Sequence, residues 1–203
     1  MSGAKIRLSE KEMELVTNAE VILTKNAIIE KVKTLMAELQ SSTEEIINQH
    51  SYLFAPEAIL SRPKISRGEN YKGLPYLILD YPRCFEKKNI LAIRTMFWWG
   101  NFFSITLHLS GKYKELYQQK IIAAFDMIIA HELFIGIHED QWEHHFEKDN
   151  YTAVNDFSAI EFSQIIREQG FLKLAKKIPL TQWDDAKNIL LEAYSDLLKL
   201  LKD

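Results

Sequence analysis

Cysteine is almost absent from this chain: Cys84 stands alone among 203 residues. A single thiol cannot close an internal disulfide, which fits a reducing compartment. Glycine and proline are scarce, at seven and five, and that argues against a long disordered tract. Positive charge is not in surplus. Lys and Arg number 25 against 28 Asp and Glu, a net charge of −3 with the signs interspersed. A nucleic-acid partner usually demands a basic surplus or stripe, so none is expected. The pairs Lys87-Lys88 and Lys176-Lys177 read as solvated surface. No apolar run approaches membrane-spanning length, and the opening MSGAKIRLSE lacks the apolar stretch of a secretory leader. The expectation is a cytoplasmic protein, in which the sequon Asn150-Tyr151-Thr152 has no use.

The strong catalytic signatures are missing as well. There is no G-x-G-x-x-G and no G-x-S-x-G. Ser110-Gly111-Lys112 lacks the upstream glycine and the following hydroxyl residue of a phosphate loop. No His/Asn signature accompanies Cys84. No cofactor is expected.

What is present describes a foldable chain. Apolar residues make up 47% and charged residues 26%, ordinary for a globular protein, and this length buries roughly 70% of the unfolded surface. Ser9 and Glu12 form an S-x-x-E capping box. Ile28, Ile29, Val32, Leu35, Met36 and Leu39 recur at helical steps, with a break or a new cap possible at Ser41-Ser42-Thr43. Residues 61–73, which contain Pro63, Gly68 and Gly73, read as a loop. Residues 74–85 and 89–109 are rich in aromatic and branched side chains and read as strands. Gly100-Asn101 supplies a two-residue hairpin signal. Helical spacing returns from Tyr113. A second capping box lies at Ser158 and Glu161, residues 171–178 read as a short helix ended by Pro179, and Thr181 with Asp184 can cap a last helix. The expected fold is α+β: an antiparallel sheet of three to five strands flanked by N-terminal and C-terminal helices. It forms one domain over 1–203, helical over 1–50, sheet-rich over 74–148 and helical over 156–203.

If Gly100-Asn101 is the whole turn, Trp99 pairs with Phe102, and Arg94 falls on an almost wholly apolar face with Met96, Trp98 and Phe103. His108 lies on the other face with Phe97, Trp99 and Phe102. A loop of odd length would exchange the faces of one strand. An unpaired guanidinium among apolar neighbours is expensive, so Arg94 needs a carboxylate such as Asp80 or Glu132, or an anionic ligand. In the second case Arg94 is the fork, with Arg83, Tyr76 or Tyr81 beside it. Trp99 and Phe102, if uncovered, make an apolar patch suited to a partner.

His131, His138, His144 and His145, four of the six histidines, lie among six acids between residues 131 and 149. H-E-x-x-H places two imidazoles on one helical face, but Ile135 and Trp142 occupy the second ligand positions here. No metal is expected; were one bound, His138, Asp140 and His144 are the candidates. The stretch reads as a helix ending near Glu132, a strand over 133–138, a turn, and a second strand over 142–146. Its histidines read as surface groups at a sheet edge, with proton transfer by His138 or His144 as the sharper possibility.

Two functional classes fit these residues. The first is a non-enzymatic binding or interaction protein using an exposed aromatic or helical surface. The second is a small-molecule domain or enzyme with a pocket against the sheet, where Arg94 holds an anion and His138 or His108 moves protons. The partner is then either a protein or a small anionic ligand.

Overall fold

The computed structural model describes residues 6–202. Residues 1–5, the start of the opening MSGAKIRLSE segment, lie outside the described residues. The architecture grows from alternation along one strand. In β4 (Phe102–Ser110), Phe103, Ile105, Leu107 and Leu109 point one way, and Phe102, Ser104, Thr106, His108 and Ser110 the other. Successive strand side chains leave opposite faces, so the sheet has an apolar back and a polar-aromatic front.

Helices and an antiparallel sheet make the fold α+β, as expected. The sheet has seven strands, not three to five: β1 (Lys64–Tyr71), β2 (Leu74–Phe85), β3 (Ile90–Trp98), β4, β5 (Phe134–Gly136), β6 (Tyr151–Ala153) and β7 (Phe171–Pro179). Their order is β1-β2-β3-β4-β7-β5-β6, and every pairing is antiparallel. The additional strands have physical reasons. β1 occupies part of the expected loop. It is a sheet edge, and its charged, glycine-containing sequence suits an edge that must not recruit another chain. β7 replaces the expected short helix: Leu172, Leu174 and Ile178 alternate into the core, and the β4 ladder outweighs the helical propensity of its Lys, Ala and Leu residues. Residues 142–146 are not a strand.

The β3–β4 hairpin is closed by three residues, not two. Trp98 pairs with Phe102, Phe97 with Phe103 and Arg94 with Thr106. The odd loop exchanges one strand's faces. Arg94 therefore shares the front with Trp98, Phe102 and His108, while Phe97 and Phe103 share the back.

The back is covered by helices. α1 (Glu10–Thr17) and α2 (Ala19–Gln49) open the chain, followed by α3 (Pro56–Ile59). α4 (Lys112–Ala123), α5 (Phe125–Ala130), α6 (Ala159–Glu168) and α7 (Ala186–Lys199) come after the first strands. Ile29, Val32, Met36, Leu39 and Ile47 of α2 meet Leu77 and Leu79 of β2 and Leu190, Tyr194 and Leu197 of α7 in one continuous core. α2 is not broken at Ser41–Thr43. Thr43 sits on its buried stripe, and its hydroxyl donates back to the Gln40 carbonyl. Both capping boxes form, at Ser9 and at Ser158. Thr181 does not cap α7, which starts only at Ala186 after a 3-10 segment. Among the described residues no helix is long and apolar enough to cross a membrane.

Gly111 joins β4 to α4 with φ of 52°. A Cβ there would collide with the Lys88 carbonyl and the Asn89 side chain. Gly111→Ala is expected to lower stability by about 1–3 kcal/mol. Gly170→Ala, where added volume meets open space, should change it far less. Urea denaturation of both variants checks this.

Candidate functional site

The front face has two halves. Towards the hairpin, Ile78, Met96, Trp98 and Phe102 form a second, smaller core beneath Phe146. Beyond it the side chains turn polar. Asp80 of β2 lies directly opposite Arg94 of β3. The Arg94 guanidinium grips the Asp80 carboxylate with two bonds, Nε to Oδ1 at 2.7 Å and Nη2 to Oδ2 at 3.0 Å. The pair is nearly buried, with 15% and 8% of the two side chains exposed. Arg94 is thus not an open fork. Its carboxylate is the one expected from β2, not Glu132.

A bulge interrupts β2 just past Asp80. Asp80 pairs with Arg94, yet the next register is Arg83 with Ala92, so Tyr81 and Pro82 oppose Ile93 alone. Strict alternation would send Arg83 to the back. The inserted residue re-aims Arg83 and Phe85 to the front and leaves Tyr81 behind. Tyr81 is buried in the helical core, and its carbonyl accepts the Tyr194 hydroxyl. Tyr81 is therefore removed from the candidate site, whereas Arg83 and Asp80 are brought together with Arg94.

Residues 137–150 strap across this face. The loop carries three of the clustered histidines, and Tyr71 at the end of β1 fastens it. The Tyr71 hydroxyl donates to Glu143 Oε2 at 2.8 Å and accepts the His144 and His145 backbone N–H groups at 2.7 and 3.0 Å. Phe146 stacks on Tyr151. His144 Nε2 lies 3.1 Å from Arg94 Nη1. A guanidinium nitrogen can only donate, so His144 Nε2 is the acceptor and the ring is neutral. Burial, then the Arg94 charge, lowers its pKa well below the ordinary value.

The other histidines have local duties. His138 Nδ1 accepts the Asp140 N–H, and Asp140 Oδ1 accepts the Trp142 N–H, both within the loop's own turn. His131 pairs with Asp196 of α7 at 2.9 Å. His138, Asp140 and His144 are not brought together, and among the described residues no three His, Cys, Asp or Glu side chains are placed to hold a metal.

His108 faces the front, where its Nε2 lies 3.0 Å from Gln141 Oε1. Burial, then the charge of Lys173, lowers its pKa to about 3. Lys173 itself is not among the residues the sequence singles out. It lies opposite His108 on β7 and is only 2% exposed. Its ammonium donates to the Glu143 carbonyl and lies over the Tyr151 ring. Burial, then the neighbouring Arg94, lowers its pKa to about 7. The signal that could have found it is the Leu172-x-Leu174 alternation, which makes residues 171–179 a strand and turns Lys173 inward.

Between the strap and β1–β3 lies an open cleft of about 480 Å³. Lys64, Arg83 and Arg94 line it as cations, and Asp80 is its only carboxylate among the described residues. Phe85, Trp142, Tyr71 and Tyr76 supply aromatic walls, and His144 meets it from the strap. His138 does not line it. Neither Lys64 nor Arg83 has a carboxylate partner among the described residues; Arg83 Nε donates to the Arg62 carbonyl at 2.9 Å. Trp99 and Phe102 do not form a shared exposed patch. They fall on opposite faces, with Phe102 buried beneath Phe146 and Trp99 half-buried against the back core.

No known protein family, characterised protein or solved structure matches this chain.

Removing one member of a nearly buried pair strands the other. Arg94→Met is expected to lose about 3 kcal/mol in urea denaturation, and Asp80→Leu/Arg94→Met to recover most of that loss. Stability should also depend on pH through Lys173. Its proton is held more tightly in the unfolded chain, near 10.5, than in the folded one, near 7. Stability therefore rises as pH climbs from about 7 towards 10.5, and Lys173→Met should flatten that rise. His108 has the same sign, with stability falling as pH drops from about 6.5 towards 3. Unfolding midpoints from pH 4 to 10 measure both.

Proposed function

We propose that the protein binds a small anionic ligand in the cleft between β1–β3 and the strap. One observation carries this reading: three cationic side chains converge on a concave surface whose one carboxylate is already bonded to Arg94. The chain as a whole is acidic, with a net charge of −3, so the cleft opposes the sign of the chain's total. Such a local field concentrates anions. Lys64 and Arg83 are the ligand-facing cations. Arg94 holds the floor and adds its charge from below.

The groups around the cleft favour binding over chemistry. Asp80, Arg94 and the Tyr71 hydroxyl are each engaged with protein partners. His144 Nε2 accepts from Arg94 and is not placed to take a proton from a ligand. A macromolecular partner is the second reading, and a different observation favours it. Met13, Val16, Val21, Ile22 and Leu23 of α1 and α2 are exposed apolar side chains close together in sequence, the composition of a contact surface.

Titration calorimetry at low salt tests the first reading with inorganic phosphate. Saturable binding is expected, weakened about tenfold by Lys64→Ala and by Arg83→Ala, since a charge-assisted hydrogen bond contributes about 1.5–3 kcal/mol. Thermal melting should stay nearly unchanged, because Lys64 is exposed and Arg83 half-exposed. Absence of binding, or binding indifferent to both substitutions, sinks the proposal.

A further inference from the structure

The cleft is not uniformly polar, and its non-uniformity bears on the ligand. At the end where β2 stops, Phe85 and Trp142 are 39% and 44% exposed. Large aromatic side chains left this open at a cleft mouth call for an explanation. Their rings lie 6.0 Å apart at 48° to each other. The Arg94 guanidinium closes the base of this notch, 5.8 Å from the Phe85 centroid and 5.9 Å from that of Trp142. The two rings come from unrelated elements, a strand and the strap, so no local sequence rule puts them together. Phe85 owes its place to the bulge that also re-aims Arg83.

The cations lie beside the notch. Lys64 stands opposite Asp80, and Arg83 stands opposite Ala92, two residues beyond Arg94 along β3, towards Phe85. With neighbouring strands about 4.8 Å apart and a rise of about 3.3 Å per residue, their backbones are roughly 8 Å apart. Two long side chains rooted at that separation can meet on one tetrahedral anion, whose oxygens are divided between an ammonium and a guanidinium. A planar carboxylate has only two oxygens to share between them. A flat ring joined to that anion would stack against the partly exposed Phe85 or Trp142 side chain.

We propose that the ligand is an aromatic or heteroaromatic ring bearing a phosphate monoester, with the phosphate between Lys64 and Arg83 and the ring in the Phe85–Trp142 notch. The inference rests on the anion-binding reading of the cleft and adds the ring and the phosphate to it.

Calorimetry with four probes tests it: inorganic phosphate, phenyl phosphate, adenosine 5′-monophosphate and benzoate. Phenyl phosphate and the nucleotide are expected to bind about tenfold or more tightly than inorganic phosphate, the gain that ring stacking provides. Benzoate should fall about tenfold below phenyl phosphate. Phe85→Ala and Trp142→Ala should each shrink the ring-dependent gain several-fold and leave inorganic phosphate binding as it was. Phe85→Leu serves as a second variant should the alanine change disturb β2, and melting curves report folding throughout. If inorganic phosphate binds but the ring adds nothing, or if benzoate matches phenyl phosphate, this inference is overturned and the anion site stands. If neither phosphate nor its aryl esters bind, both fall.

Discussion

An arginine taken out of water must be given partners, and the pairing of Arg94 with Asp80 sets the terms for the whole front of this sheet. The two residues face each other on adjacent strands, so the ladder itself delivers the fork to the carboxylate. The guanidinium then extends beyond its partner. One nitrogen reaches His144 in the strap and fixes that ring as a neutral acceptor. Its charge also lowers the pKa of Lys173 and His108, and its plane forms the base of the aromatic notch. Replacing a nearly buried pair with apolar side chains often leaves a protein equally stable. The value of this pair lies in what it arranges around it.

The helical back of the molecule is legible because single residue types decide it. Ser9 with Glu12 and Ser158 with Glu161 specify two helix starts locally, and the stripe from Ile29 to Leu39 specifies a buried face. The sheet is harder. β1 is hidden because an edge strand has little to bury, so Lys64–Tyr71 resembles a loop. β7 is hidden because Phe171–Pro179 combines helix-favouring residues with an alternation that only its distant neighbours β4 and β5 make use of. Both cases are contests between local preference and tertiary pairing; β1 finds its partner one turn away in β2, whereas β4 and β5 lie far from β7 in sequence.

The site is partly legible for a related reason. Arg94 is conspicuous as a charge within a strand of apolar residues, and Asp80 on the preceding strand is its natural carboxylate. The assignment of faces fails on a single residue: Trp99 joins the turn instead of the ladder, and His108 changes sides relative to Arg94. Tyr81 and Arg83 look like neighbours in one site, but Pro82 lies between them in a bulge, and a bulge separates residues that alternation would unite. The role of Tyr71 is illegible. Nothing near it in sequence forecasts that one phenol would hold three atoms of a loop more than seventy residues away.

That long reach has a kinetic side. Strands β1 to β4 form a meander of neighbouring hairpins, whose contacts close over short stretches of chain. The strap comes after β5, which pairs only with β6 and β7, so it has no fixed position until the strand at 171–179 has joined the sheet. Its tether to Tyr71 then closes over 72 to 74 residues, a loop whose entropy is recovered only once both ends are held. In a chain emerging from synthesis the residues of the cleft floor, on β1 to β3, therefore appear before those of its roof and before the strand that fixes the roof in place.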